Sequence, residues 1–254
     1  MLWYTGEDQM IKGLILALQF LSRIPINYPV DMNELNIRRS TFFYPYTGML
    51  LGLLASIPYY FLHSFNNDIA AFISLLVLII LTGGLHLDGL SDTADGFFSN
   101  RDKERTLEIM KDSRIGAFGV LSLIVIIFFK FILISNIGTN LPLALILSMG
   151  NSRMIVLLQI AFKKSARPGG LGDMVHNSQP KVYILSSAIL YILIIILMDI
   201  SYLLALVFSM LIGELISLYS YKKIGGFTGD VYGATIELTE TASLLGFWGV
   251  FIWI

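Results

Sequence analysis

The chain has 254 residues, 56% of them hydrophobic and only 14% charged, with a mean hydropathy of +0.74. Soluble domains carry about 25% charged residues, so the composition excludes an ordinary soluble domain and points to a polytopic membrane protein. Cysteine is absent, which excludes disulfide frameworks, thiolate metal sites and cysteine nucleophiles. The formal net charge is −1, and no nucleic-acid partner is expected.

Residues 11–28 are apolar but interrupted by Arg23 and Pro25. They read as a short helix that either enters the membrane or lies at its interface. The run follows Glu7 and Asp8, so it lacks the basic start of a secretory signal peptide. A first span is expected over 41–62, where a bundle can tolerate Pro45 and Pro58. A second follows over 69–85, a third over 115–137, a fourth over about 141–161, and two more over about 182–198 and 201–221. Residues 241–254 form a final apolar end too short to span comfortably alone. The expected fold is therefore a single all-α domain over 1–254, a polytopic helix bundle with about six to eight membrane segments.

Between these spans lie four long polar segments, at about 22–40, 86–114, 162–181 and 222–240. They contain 14 of the 17 Lys and Arg residues, while the turns at 63–68, 138–140 and 199–200 contain none. The positive-inside rule then places the long segments in the cytoplasm. The candidate active site would share that face of the cell membrane.

The chemistry concentrates after Gly83 and Gly84. Asp88, Asp92 and Asp95 stand at i, i+4 and i+7, on one face of a helix if they are helical. Like charges so placed repel unless a cation sits among them, and hard oxygen ligands without cysteine indicate Mg²⁺ or a similar ion. Such a set suits phosphoryl-type transfer, with an ion against diphosphate oxygens and a free carboxylate as proton acceptor. His86 is a candidate base or ligand. The acidic and basic residues of 102–108 read instead as a solvated, salt-bridged surface.

Lys111 and Arg114, beside Gly116 and Gly119, could hold phosphate oxygens or simply anchor the third span. Two glycine-rich stretches, Ser165–Gly172 with Arg167 and Gly225–Ala234 with Thr228 and Asp230, suit ligand-facing loops. Neither is a Walker loop, since no Gly-Lys-Ser/Thr follows a strand. Lys130, Arg153 and Glu214 lie inside expected spans, where charge is expensive. Lys130 can snorkel to the outer end, and Arg153 can face the cytoplasmic cavity or pair with Glu214.

Asp92-x-x-Asp95-Gly96 resembles half of the CDP-alcohol phosphotransferase signature, but no Ala-Arg follows at the required distance and the second half does not appear. A fuller resemblance is to the cobalamin synthase family, the adenosylcobinamide-GDP ribazoletransferases. It is carried in order by Leu18–Pro25, by GGLHLDGLSDTADGFFS from Gly83, and by LEIMKDSRIGAFGV from Leu107. Ala166-Arg167, Gly170–Gly172 and Gly226–Ala234 continue it, so that it covers nearly the whole chain.

The resemblance implies a Mg²⁺-dependent membrane transferase. Its substrates would be adenosylcobinamide-GDP and α-ribazole or α-ribazole 5′-phosphate, with GMP released. By carry-over, Asp88, Asp92 and Asp95 serve metal and catalysis, and Asp112 and Asp230 complete the site. Lys111, Arg114, Arg153 and Arg167 would contact phosphates. The lipid bilayer is the expected surround, and a homo-oligomer stays open. The size of a corrin ring leads to the expectation of a broad cavity joining the aspartates to Arg167 and Asp230. The competing readings are a CDP-alcohol-type lipid phosphotransferase and a cation transporter, the latter expecting acidic groups deep in the spans.

Overall fold

The computed structural model describes residues 6–167 and 169–253. Among these it contains eleven α-helices and no strand beyond one isolated bridge, Ser165 to Phe227. The all-α expectation therefore holds.

Helix α1 (Gly6–Leu21) has 16 residues, about 24 Å at 1.5 Å per residue, which is short of a hydrocarbon core about 30 Å thick. It packs along α2 (Glu34–Leu62), whose start is fixed by Asn33 accepting the Asn36 backbone N–H at 2.9 Å. Helix α2 keeps Pro45 and Pro58 in its interior and packs most extensively on α7 (Leu141–Phe162). Glycines permit that approach: a Cβ at Gly52 would stand 2.7 Å from the Ile146 Cα.

Helix α3 (Asn67–Thr82) ends where Gly83 and Gly84 both take left-handed backbone, at φ 64° and 70°. Such a pair suits glycine, and it turns the chain by 86° into α4 (Leu85–Phe98). The aspartate segment thus leaves the α3 axis as a helix instead of forming a loop. A short α5 (Lys103–Ile109), capped by Asp102, leads to α6 (Ala117–Asn136). After α7 come α8 (Leu171–Asn177), α9 (Lys181–Met198), α10 (Leu203–Ile224) and α11 (Gly229–Trp253).

Four stretches are long and apolar enough to cross a membrane: α6, α9, and α7 and α10 each with its leading 3-10 turn. The bent α3–α4 pair is a fifth if counted as one broken span. The expectation of a polytopic helix bundle holds; among the other described helices α1 is short, and α2 and α11 are long but less apolar. Helix α7 is the interior member. Outer faces of α6 and α9 expose Val125, Phe128, Ile189 and Leu197, as lipid-facing helices do.

The structure corrects the reading of 222–240 as a polar segment with a separate apolar end. Residues 229–253 are one 25-residue helix, largely buried against α4, α6, α7 and α10. Its two inner acids, Glu237 and Glu240, do not face water. Lys130 of α6 donates from Nζ to Glu237 Oε2 and Glu240 Oε2, each at 2.6 Å. Arg153 of α7 donates to the other oxygen of Glu240 and, at 2.9 Å, to Ser152 Oγ.

All four charged side chains are buried, two positive and two negative. Lys130 therefore does not snorkel. Arg153 does not pair with Glu214, which instead meets Lys163 at 2.8 Å. Buried charges are tolerated when paired and hydrogen-bonded, and this quartet fixes α11 between α6 and α7.

Candidate active site

Helices α4 and α11 cross at two glycines. A Cβ at Gly89 would lie 2.8 Å from the Asp230 carbonyl oxygen, and one at Gly233 would lie 3.3 Å from the Gly89 Cα. The crossing brings Asp88 and Asp92 of α4 to the first turn of α11, where Asp230 stands. Sequence separation hides this meeting, because the residues are some 140 positions apart.

The two glycine-rich loops are also joined. Ala166 N donates to Phe227 O at 2.8 Å, and Phe227 N donates to Lys164 O at 2.9 Å. The Phe227 ring stacks on Tyr232 with centroids 5.0 Å apart. Arg167 Nη2 then lies 3.5 Å from Asp230 Oδ2, and Thr228 Oγ1 lies 3.2 Å from the same oxygen. Arg167 Nη1 is buried without a partner.

Two adjoining chambers result. One, of about 280 Å³, is lined mainly by apolar groups, including Phe20, Leu21, Tyr44, Leu85, Val156, Ile160 and Ile236, with His86, Asp88 and Asp230. The other, of about 240 Å³, is polar and is formed by Ser165, Arg167, Gly169, Gly170, Asp173, Thr228 and neighbours. Gly172, Gly229, Asp230 and Tyr232 line both. The expected single broad cavity joining the aspartates to Arg167 and Asp230 is divided in two: Asp88 lines the apolar chamber, Arg167 the polar one and Asp230 both, while Asp92 and Asp95 line neither.

Electrostatics differ among the acids. Burial, followed by the like charges of Asp88, Asp230 and Asp95, pushes the Asp92 carboxyl up to about 6. Asp230 is also raised, chiefly by burial, with Arg167 opposing. Burial and the positive charge of Arg153 push the His86 imidazole down to about 3, so it is neutral. Its Nε2 is buried and has no partner.

Several sequence candidates are placed elsewhere. Asp95 accepts the Gly116 N–H at 2.7 Å and the Gly119 N–H at 2.8 Å, so both oxygens cap the start of α6. Each oxygen thereby holds one backbone N–H, and the pair of contacts ties α4 to the start of α6. Asp112 is held by Arg114, with Arg114 Nη2 donating to Asp112 Oδ2 at 2.6 Å, and that contact keeps its carboxyl at about 2. Lys111 and Arg114 are exposed and line neither chamber. Arg153 is fully buried in the charge quartet, so it is not a phosphate contact. Tyr44, Tyr232, Glu237 and Glu240 were not singled out from sequence. A Glu-x-x-Glu pair inside an apolar stretch was the available signal for the last two.

Among the described residues, no group of three or more His, Asp or Glu side chains stands ready to enclose an ion. The donor set nevertheless fits Mg²⁺, which characteristically takes one or two carboxylates and completes its shell with water and substrate phosphate. Asp88 and Asp92, one helical turn apart and mutually repelling, are the residues suited to it.

These features define a helical membrane protein with a two-chambered site, with Asp230 at the junction and Arg167 and Asp173 in the polar half. The sequence comparisons make the class specific. The chain belongs to the cobalamin-5-phosphate synthase family, whose model matches residues 13–248. Membership makes it an enzyme, a transferase of cobalamin biosynthesis.

A Treponema denticola protein named adenosylcobinamide-GDP ribazoletransferase is 42% identical over 92% of this chain and 96% of its own length. Proteins of the same name from Caldanaerobacter subterraneus and Clostridium botulinum are 38% and 36% identical. They cover 93% of this chain and 98% and 97% of their own lengths. No solved structure matches the chain.

Proposed function

We propose that this protein joins adenosylcobinamide-GDP to α-ribazole or its 5′-phosphate, at the cytoplasmic face of the cell membrane, and releases GMP. The observation that carries the reading is Asp230, the carboxylate shared by both chambers, set against Arg167 on one side and the apolar chamber on the other. The glycine loops and Arg167 hold the donor's diphosphate, since glycine permits close backbone approach and a guanidinium matches phosphate oxygens.

The acceptor hydroxyl oxygen attacks the phosphorus that bears the cobinamide. That O–P bond forms as the bridging P–O bond to GMP breaks, and the bridging electron pair leaves with GMP. The hydroxyl proton passes to Asp230, whose raised pKa and position suit a general base. Asp88 and Asp92 would hold Mg²⁺, which when bound supplies neutralisation of charge on the diphosphate.

The discriminating test supplies purified protein with GDP- and CDP-activated donors and the acceptor. Release of GMP alone is expected. Release of CMP from a CDP-alcohol would replace this reading with a lipid phosphotransferase.

Two smaller predictions follow from the same geometry. Gly89→Ala must separate α4 from α11 by several tenths of an ångström. It should lower stability by about 1–3 kcal/mol and reduce GMP release more than tenfold at a temperature where the variant is folded. Thermal unfolding and an initial-rate assay on one preparation check both parts. An unchanged rate would mean that the helix crossing does not set the site.

The second concerns pH. Because Asp92 holds a proton below about pH 6, cations must compete with that proton. Mn²⁺ affinity measured by titration should be flat above pH 7 and fall by up to about tenfold per pH unit below 6. An affinity constant from pH 7.5 to 5 would remove Asp92 from the cation site.

A further inference from the structure

The polar chamber holds one acid that the proposed chemistry leaves unused. Asp173 lines that chamber alone, whereas Asp230 lines both. Its Oδ2 accepts the Gly169 N–H at 2.9 Å, and no Lys or Arg pairs with it among the described residues. Its Oδ1 makes no hydrogen bond within the protein, and in a half-buried side chain it is not sealed from solvent. The position is fixed by close packing. A Cβ at Gly172 would stand 2.5 Å from Tyr232 Cε2, so α8 rests directly on that ring and carries Asp173 to the chamber wall.

A carboxylate only accepts hydrogen bonds and repels phosphate. In a chamber that takes the donor's diphosphate against Arg167, Asp173 is therefore placed to meet an uncharged, hydrogen-donating part of the donor. The chamber's volume of about 240 Å³ is below that of pockets for drug-sized ligands, about 300–1,000 Å³, so it holds one end of the donor. A corrin macrocycle is far larger than that, which leaves the nucleotide end. Guanine presents two adjacent donors on its Watson–Crick edge, N1–H and the 2-amino group. Adenine and cytosine set a ring-nitrogen acceptor beside their amino group, and that nitrogen would face the lone pairs of a carboxylate. Resting on the transferase reading above, we infer that the polar chamber seats the guanine nucleotide of the donor and that Asp173 reads its base. Oδ2 takes N1–H on its second lone pair, and Oδ1 takes the 2-amino group. Asp173 is thus a specificity-determining residue, with Arg167 holding the phosphates of the same nucleotide.

The test is equilibrium binding of GMP, inosine monophosphate and xanthosine monophosphate, each alone, to the detergent-purified full chain. Inosine monophosphate lacks only the 2-amino group, so the native protein should bind GMP about tenfold to a hundredfold more tightly, the worth of one hydrogen bond to a charged acceptor. Asp173→Asn keeps the size of the side chain and an oxygen for the Gly169 N–H. It turns the other oxygen into an amino donor, which suits the C2 carbonyl of xanthine. The variant should bind GMP about tenfold more weakly and shift its preference toward xanthosine monophosphate by about tenfold or more. Mere loosening of the loop would weaken all three nucleotides alike. If the variant fails to fold, the native ratio of GMP to inosine monophosphate decides. Native affinities within about twofold of one another, or a variant that keeps the native order of preference, would overturn the inference. The same preparation is assayed for GMP release from adenosylcobinamide-GDP with the acceptor. Release alongside equal nucleotide affinities strikes the role of Asp173 alone, while absence of release defeats the transferase reading.

Discussion

Replacing Asp230 with asparagine is expected to lower kcat for GMP release by about 10²- to 10⁴-fold, the usual range for a lost general base. Asparagine preserves the size of the side chain and its contact with Thr228, so the polar chamber keeps its shape. Donor affinity should change only a few-fold, because Arg167 and the glycine backbone remain. The loss should therefore fall on kcat, with KM for the donor little altered. Asp88→Asn offers the contrast: the same assay should show a rate restored in part by raising Mg²⁺, since that residue is assigned to holding the ion. An Asp230→Asn enzyme with native kcat would return the proton to another group, with Asp88 next in position along the same chamber wall.

The second large effect concerns stability. Glu240→Gln should destabilise the protein by about 3–5 kcal/mol, the cost of removing one partner from a buried ion pair. Glu240 accepts from both Lys130 and Arg153. Its neutralisation leaves two buried cations with Glu237 as the remaining acid. Arg153 already has Nε and Nη2 without partners, so little nearby polarity can compensate. Lys130→Met should be similarly costly, because it leaves two carboxylates near one another with Arg153 alone to balance them. The double variant Lys130→Met, Glu237→Gln removes one charge of each sign and should recover part of the loss. Unfolding in mixed micelles measures all three. Equal stability of Glu240→Gln and native protein would show that the quartet does not hold α11 in place.

The same quartet explains where sequence reading succeeded and where it stopped. Apolar length alone located α6, α7, α9 and α10 to within a few residues, because each carries a long and mostly apolar run, whether it faces outward or, like α7, the bundle interior. It divided α11 in two, since Glu237 and Glu240 look solvated until Lys130 and Arg153 are placed beside them. The span expected over 41–62 lies within α2, where Gly48 and Gly52 let the helix approach the backbone of α7. Among site residues, the spacing of Asp88 and Asp92 was legible as one helix face, and the motif order pointed to Asp230 and Arg167. The fate of Asp95 was not legible, because two backbone N–H groups more than 20 residues downstream occupy its oxygens. Lys111, Asp112 and Arg114 look like ligand contacts in a motif and are an exposed, internally paired turn in the fold. The transporter reading expected acids deep in the bundle. Glu237 and Glu240 are there, but each is matched by a buried cation.

The proposed reaction is one event, the joining of two substrates at the junction of the chambers with loss of GMP. The most direct measurement follows both products from the native protein by mass spectrometry, with Mg²⁺ and then with a chelator in excess. Joined product and GMP should appear in equal amounts with Mg²⁺ and both substrates, and neither should form when the acceptor is omitted or the cation is removed. GMP formed without acceptor, or joined product formed in the chelator, would contradict the proposed chemistry of Asp88, Asp92 and Asp230.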